Sequence, residues 1–140
     1  MRIGYTTGVY DMFHVGHLNV LETAKQYCDY LIVGVSTDSL VEKYKKKVPI
    51  VPFDDRCRIV SALTCVDKVV AQKSRDKIAQ YEEIKYDVMF VGDDWKGSEI
   101  FTTLEKYLNN AGAQIMYLPY TPSVSSTKFK AILEQIWDEN

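Results

Sequence analysis

Residues 3 to 17 read Ile3-Gly4-Tyr5-Thr6-Thr7-Gly8-Val9-Tyr10-Asp11-Met12-Phe13-His14-Val15-Gly16-His17. The short β-branched start, Ile3 to Thr6, has the make-up of a strand buried on both faces, and Thr6-Thr7-Gly8 ends it. A long amphipathic helix follows His17, so the stretch is the opening strand-loop-helix unit of a parallel sheet. It also holds both histidines of the chain. Three positions apart, with Gly16 between them, His14 and His17 fall on one face of a helix's first turn and can grip one anionic group together. The absence of a side chain at Gly16 lets a phosphate approach the amides of the incoming helix. The plainer alternative is that one histidine caps the helix while the other packs in the core.

Further apolar stretches of the same kind recur at Tyr30 to Val35, Val66 to Ala71, Val88 to Val91 and Gln114 to Leu118. Between them lie segments of helical periodicity: Leu18, Leu21, Ala24 and Lys25; Ile59 and Leu63; Ile78, Tyr81 and Ile84; Ile100, Leu104, Tyr107 and Leu108. Gly112 sits where a C-terminal helix cap belongs, and a final helix is expected from about Ser126 to Trp137. Pro49 and Pro52 mark a loop in a basic stretch. The expected architecture is α/β: a Rossmann-like, doubly wound, five-stranded parallel sheet in a single domain over residues 1–140. Ligands of such sheets bind beyond the carboxyl ends of the strands, near the switch point beside the first strand. The loops after strands one, four and five are therefore where chemistry is sought.

A chain of 140 residues, 46% hydrophobic, has material for one core and not for two full domains. With 17 basic against 19 acidic residues the net charge is −2, which gives no global attraction to nucleic acid or an anionic membrane. The 10 tyrosines form no stripe with basic residues of the kind that binds single strands. Cys28, Cys57 and Cys65 are odd in number and have no zinc-ligand spacing, so buried free thiols are expected. No basic-then-apolar leader and no continuous apolar span is present, which predicts a cytoplasmic protein with no membrane partner.

Three further groups of residues carry chemistry. After strand four comes Gly92-Asp93-Asp94-Trp95: the glycine turns tightly, the acids can accept from ribose hydroxyls or a base amine, and the indole can border a pocket. Ser125, Ser126 and Thr127 at the start of the last helix make a second anion site. After strand two, Lys43, Lys45, Lys46 and Lys47, with Arg56 beyond, can screen phosphate charge or close as a lid; a solvated charge run is the plainer reading. Asp38 reads as a helix cap.

At the HVGH turn the chain resembles the nucleotidyltransferase α/β-phosphodiesterase superfamily, marked by (H/T)xGH after the first strand. More narrowly, the run from Gly8 through Val9, Tyr10 and Asp11 to His17 is similar to the small cytidylyltransferases, which move CMP from CTP to a phosphorylated alcohol and release pyrophosphate. The resemblance implies that Gly8, Val9, Tyr10, His14, Gly16, His17, the Gly92–Trp95 loop and Ser125–Thr127 bind the nucleotide, with GDDW favouring cytosine. It implies catalytic roles for His14, His17, Lys45 and Lys47, the lysine assignment being good to one residue. Asp11, Asp38, Lys45, Lys47, Arg56 and Tyr120 would face the acceptor, Mg²⁺ would accompany the pyrophosphate, and a homodimer is the expected assembly. Members that use glycerol 3-phosphate usually read RTEG before the SST-like element; here Tyr120-Thr121-Pro122-Ser123 replaces it. Glycerol 3-phosphate is the leading acceptor, and phosphocholine, phosphoethanolamine, another polyol phosphate or a phosphonate are alternatives. An adenylyltransferase of the same superfamily and a non-catalytic nucleotide-binding module are the competing functions.

Overall fold

A computed structural model describes residues 1–119 together with Ala131, Glu134 and Gln135. Strands β1 (Ile3–Gly8), β2 (Tyr30–Ser36), β3 (Lys68–Gln72), β4 (Val88–Gly92) and β5 (Gln114–Leu118) form one parallel sheet in the order β3-β2-β1-β4-β5. The order reverses beside β1, so the switch point lies between the loops that leave β1 and β4. Register brings Gly8 beside Val35 and Gly92 beside Leu118, which aligns the carboxyl ends along one edge. Helices α1 (Val15–Gln26), α2 (Asp38–Lys45), α3 (Phe53–Ser61), α4 (Lys77–Ile84) and α5 (Glu99–Ala111) connect them.

Both faces of the sheet are covered, which is why the strands read as apolar runs rather than as alternation. On one face Leu21 and Ala24 of α1 and Val60 of α3 pack with Leu31, Val33, Val35, Val88 and Phe90. On the other, Tyr81 of α4 and Phe101, Leu104 and Leu108 of α5 pack with Tyr5, Ile32 and Met89. The single five-stranded α/β domain expected from the sequence is the fold observed. Gly112 caps α5 with φ of 92°, a backbone that L side chains rarely adopt.

Four expectations are corrected. The third strand begins at Lys68 rather than Val66, because Val66 closes a turn onto the Leu63 carbonyl and Asp67 accepts the Leu31 amide at 2.8 Å. The basic stretch after β2 is not all loop: α2 runs through Lys43 and Lys45 and ends at Lys46, whose φ is 55°. Thr37, not Asp38, caps that helix, its hydroxyl accepting from the Leu40 amide at 3.2 Å. The three cysteines carry free thiols, half-buried rather than fully buried. Most of the expected last helix lies outside the described residues, as do Tyr120, Ser125, Ser126 and Thr127.

Candidate active site at the carboxyl edge of the sheet

The chain leaves β1 through an abrupt turn. Tyr10 and Met12 both adopt left-handed backbone, with φ of 56° and 49°, which is uncommon for residues with a Cβ and is held only where surroundings impose it. Two contacts impose it here. The Tyr10 ring folds back over Gly8, where a Cβ would sit 2.8 Å from it, so Gly8 provides the room for this turn. Between the two strained residues, the buried Asp11 carboxylate accepts the amides of Ile50 at 2.9 Å and Val51 at 2.9 Å.

The turn delivers His14 as the N-cap of α1, with His17 on the same first turn. His14 Nδ1 accepts the Gly16 amide at 3.0 Å, and His17 Nδ1 accepts the His14 amide at 3.3 Å. Both histidines thus cap the helix, a reciprocal use that the sequence alternatives did not include. Because each Nδ1 is an acceptor, each neutral ring carries its proton on Nε2. The rings stack at 3.8 Å, and Tyr10 and Phe13 pack on His17 at 5.4 and 5.2 Å. Burial, and then the neighbouring imidazole, push His17 down to about 4; burial lowers His14 as well. Near neutral pH the pair is therefore two uncharged Nε2–H donors held side by side. The Gly16 amide is taken by His14.

The burial of His17 makes stability depend on pH. The ordinary histidine pKa is ~6.5, so above it His17 is neutral in both folded and unfolded chains and its contribution is complete. As pH falls toward 4, the unfolded chain takes up the proton first and stability drops; below the folded value the contribution is gone. Urea midpoints from pH 7 to 4 are expected to fall further for the wild type than for His17→Gln. Equal declines would mean that His17 titrates as a free imidazole.

Arg56 is fully buried at 0% exposure and ties the edge together. Its Nε donates to the Val51 carbonyl at 2.9 Å, its Nη1 to the carbonyls of Val9 and Ser36 at 2.7 Å each, and its Nη2 to Asp38 Oδ1 at 2.6 Å. Asp38 Oδ2 in turn accepts the Phe53 amide at 3.2 Å. The acceptor side expected from sequence thus divides. Asp11, Asp38 and Arg56 hold the loops in place, whereas Lys45 and Lys47 are exposed.

Across the switch point, Asp93 to Trp95 form a single 3-10 turn directly after β4. A Cβ on Gly92 would lie 2.6 Å from Asp94 Oδ1, so a side chain here would displace the Asp94 carboxylate. Asp93 and Asp94 are exposed, and Trp95 is 45% exposed with its ring 5.6 Å from Phe101. The turn is free to meet a ligand while its indole is anchored.

Sequence reasoning missed Lys77. It opens α4, and its Nζ donates to Thr7 Oγ1 at 3.2 Å at the end of β1. Burial, and then Arg75, lower its pKa to about 8, so it is still largely cationic at pH 7. The missed signal was topological: the crossover from β3 to β4 must pass over β2 and β1, so a loop leaving an edge strand reaches the centre.

A parallel sheet with paired imidazole donors after β1 and an acidic, aromatic turn after β4 is the arrangement of a nucleotidyltransferase, an enzyme that works on a nucleotide's phosphates. The chain belongs to the cytidylyltransferase-like family, whose model matches residues 5–132. It is 37% identical to the glycerol-3-phosphate cytidylyltransferase of Bacillus spizizenii over 132 residues, 93% of this chain and 95% of that one. It is 34% identical to the glycerol-3-phosphate cytidylyltransferase of Bacillus subtilis over 132 residues, with the same coverage. Among solved structures it resembles the lipopolysaccharide core biosynthesis protein of Thermoplasma volcanium, with TM-score 0.71 and 29% identity over 86% of this chain and 97% of that one. No helix of the described residues is long and apolar enough to cross a membrane.

Proposed function

We propose that the chain transfers the cytidylyl group of CTP to the phosphate of a small phosphorylated alcohol, glycerol 3-phosphate first among them, and releases pyrophosphate. The observation that carries this reading is the pair of neutral, Nδ1-capped imidazoles at the end of β1 in a chain of this family. A phosphate oxygen of the acceptor attacks the α-phosphorus in line; the bond to the bridging oxygen of the β-phosphate breaks, and that oxygen keeps the electron pair. No general base is needed, since a phosphate monoester is already anionic near neutral pH. Catalysis then rests on position and on donors placed where charge builds. His14 and His17 supply Nε2–H donors to the α-phosphoryl oxygens. Lys77, from the opposite face of the sheet, holds the acceptor phosphate, with Lys45 and Lys47 screening the outer charges. The Asp93–Trp95 turn receives the nucleoside, and Ser125, Ser126 and Thr127 complete the triphosphate site.

Among the described residues no three or more His, Cys, Asp or Glu side chains gather into a metal cage. Mg²⁺ would accordingly be held by the CTP phosphates and water, the usual mode for this ion, where it withdraws charge from the departing pyrophosphate. The same reading places the enzyme in the cytoplasm, and its homodimer is checked by sedimentation.

The test pairs binding with turnover. CTP is expected to raise the melting temperature more than ATP, and pyrophosphate is expected from CTP when glycerol 3-phosphate is added. A larger shift with ATP would favour adenylyl transfer, and pyrophosphate release from neither nucleotide with any phosphomonoester would favour a binding module.

A further inference from the structure

Side-chain hydrogen bonds brace the loop between β3 and α4. Gln80 Nε2 donates to the Ser74 carbonyl at 2.7 Å while its Oε1 accepts from the Tyr5 hydroxyl at 3.2 Å. Asp76 caps α4 by accepting the Ala79 amide at 3.0 Å. Besides the exposed Lys73, two cations stand here, Arg75 in the loop and Lys77 at the start of α4. Lys77 reaches Thr7 at the centre of the site. The Arg75 guanidinium carbon lies 4.5 Å from the Tyr44 ring centroid, joining the loop to the end of α2. Among the described residues neither cation has a carboxylate partner.

A guanidinium stacked on a ring keeps its in-plane N–H fork available for oxygen atoms, and stacking fixes the plane in which the fork points. The same contact has a second consequence. Tyr44 is 46% exposed and would be the natural wall for a quaternary ammonium, yet Arg75 covers it and Lys43 Nζ lies 5.6 Å from its centroid. Of the carboxylates on this side, Asp38 is taken by Arg56, Asp11 by the Ile50 and Val51 amides, and Asp76 by the helix it caps, while Glu42, Asp54 and Asp55 stand exposed.

We propose that Arg75, held on Tyr44, is a specificity-determining residue that restricts the acceptor to phosphate esters of uncharged alcohols and excludes amino-alcohol phosphates, whose ammonium it repels. The inference rests on the proposed cytidylyl transfer and narrows its acceptor class. Arg75 forks the acceptor phosphate together with Lys77, and Tyr44 acts as a positioning residue that orients the fork.

The experiment compares glycerol 3-phosphate with phosphocholine and phosphoethanolamine, both as substrates with CTP and by calorimetric titration into the CTP-loaded enzyme. The wild type is expected to favour glycerol 3-phosphate by at least ~100-fold in kcat/KM and to bind neither amino-alcohol phosphate measurably. Arg75→Gln is expected to raise KM for glycerol 3-phosphate about tenfold with kcat little changed and to narrow the preference. Tyr44→Leu should shift the preference the same way, and Tyr44→Phe should retain it. Comparable use or binding of phosphocholine by the wild type would overturn the inference, as would an Arg75→Gln preference equal to the wild type. If no acceptor is turned over, the transfer reading fails by itself; selective, Arg75-dependent binding of glycerol 3-phosphate would still support the charge selection, and unselective binding would overturn it.

Discussion

Replacing His17 with alanine is expected to slow cytidylyl transfer by ~10²–10³-fold, about 3–4 kcal/mol in the barrier, the usual cost of removing one preorganised oxyanion donor. The loss should fall on kcat more than on KM, because in the proposed transfer the Nε2–H donor meets charge that grows in the transition state. The substitution also deletes the acceptor for the His14 amide, so a helix-cap loss of ~1 kcal/mol should accompany it in urea unfolding. That smaller stability effect leaves the protein folded and keeps the two contributions separable. A folded His17→Ala protein with near-normal kcat would remove His17 from the chemistry and leave it as a cap only.

Arg56→Ala carries the largest expected effect on stability. The guanidinium is wholly buried and satisfies the carbonyls of Val9, Val51 and Ser36 as well as Asp38. Its removal strands those acceptors and leaves Asp38 without its cation, for which ~3–5 kcal/mol is the expected loss. Lysine should rescue little, because a single ammonium cannot span three carbonyls and a carboxylate in one plane. Urea unfolding at pH 7 checks this, and a loss below ~1 kcal/mol would show that the loops do not depend on the tie. Turnover should fall with stability, since Val9 leads into the HVGH turn and Val51 lies in the loop that Asp11 holds.

Much of this architecture was legible because both faces of the sheet are covered: continuous apolar strands alternating with helical periodicity have few other solutions. The last strand, Gln114–Leu118, falls at its expected limits because Gly112 ends the preceding helix and Ala113 is buried at once. The third strand slipped because an apolar run does not distinguish a buried turn residue such as Val66 from a strand residue. Helix α2 escaped because only Leu40 and Val41 of its eight residues are buried, too few to show a period. At the site, the HVGH turn and the Gly92–Trp95 loop were readable because glycine and paired like residues mark backbone and charge requirements directly. Arg56 was not: an arginine near a lysine run reads as an open cation, and only the folded chain shows three carbonyls converging on it. Nor could spacing show that Tyr10 and Met12 turn left-handed, since neither residue type announces it. Lys77 needed the strand order, which sets where the crossover from β3 passes.

The claim on which everything else depends is that the α-phosphoryl group, with its nucleoside, moves from CTP to the acceptor. Incubation of the enzyme with CTP labelled at the α-phosphorus, Mg²⁺ and glycerol 3-phosphate tests it most directly. The label is expected in CDP-glycerol, with one unlabelled pyrophosphate released for each product formed. Label recovered only as CTP or free CMP, with no glycerol-linked product, would contradict the account.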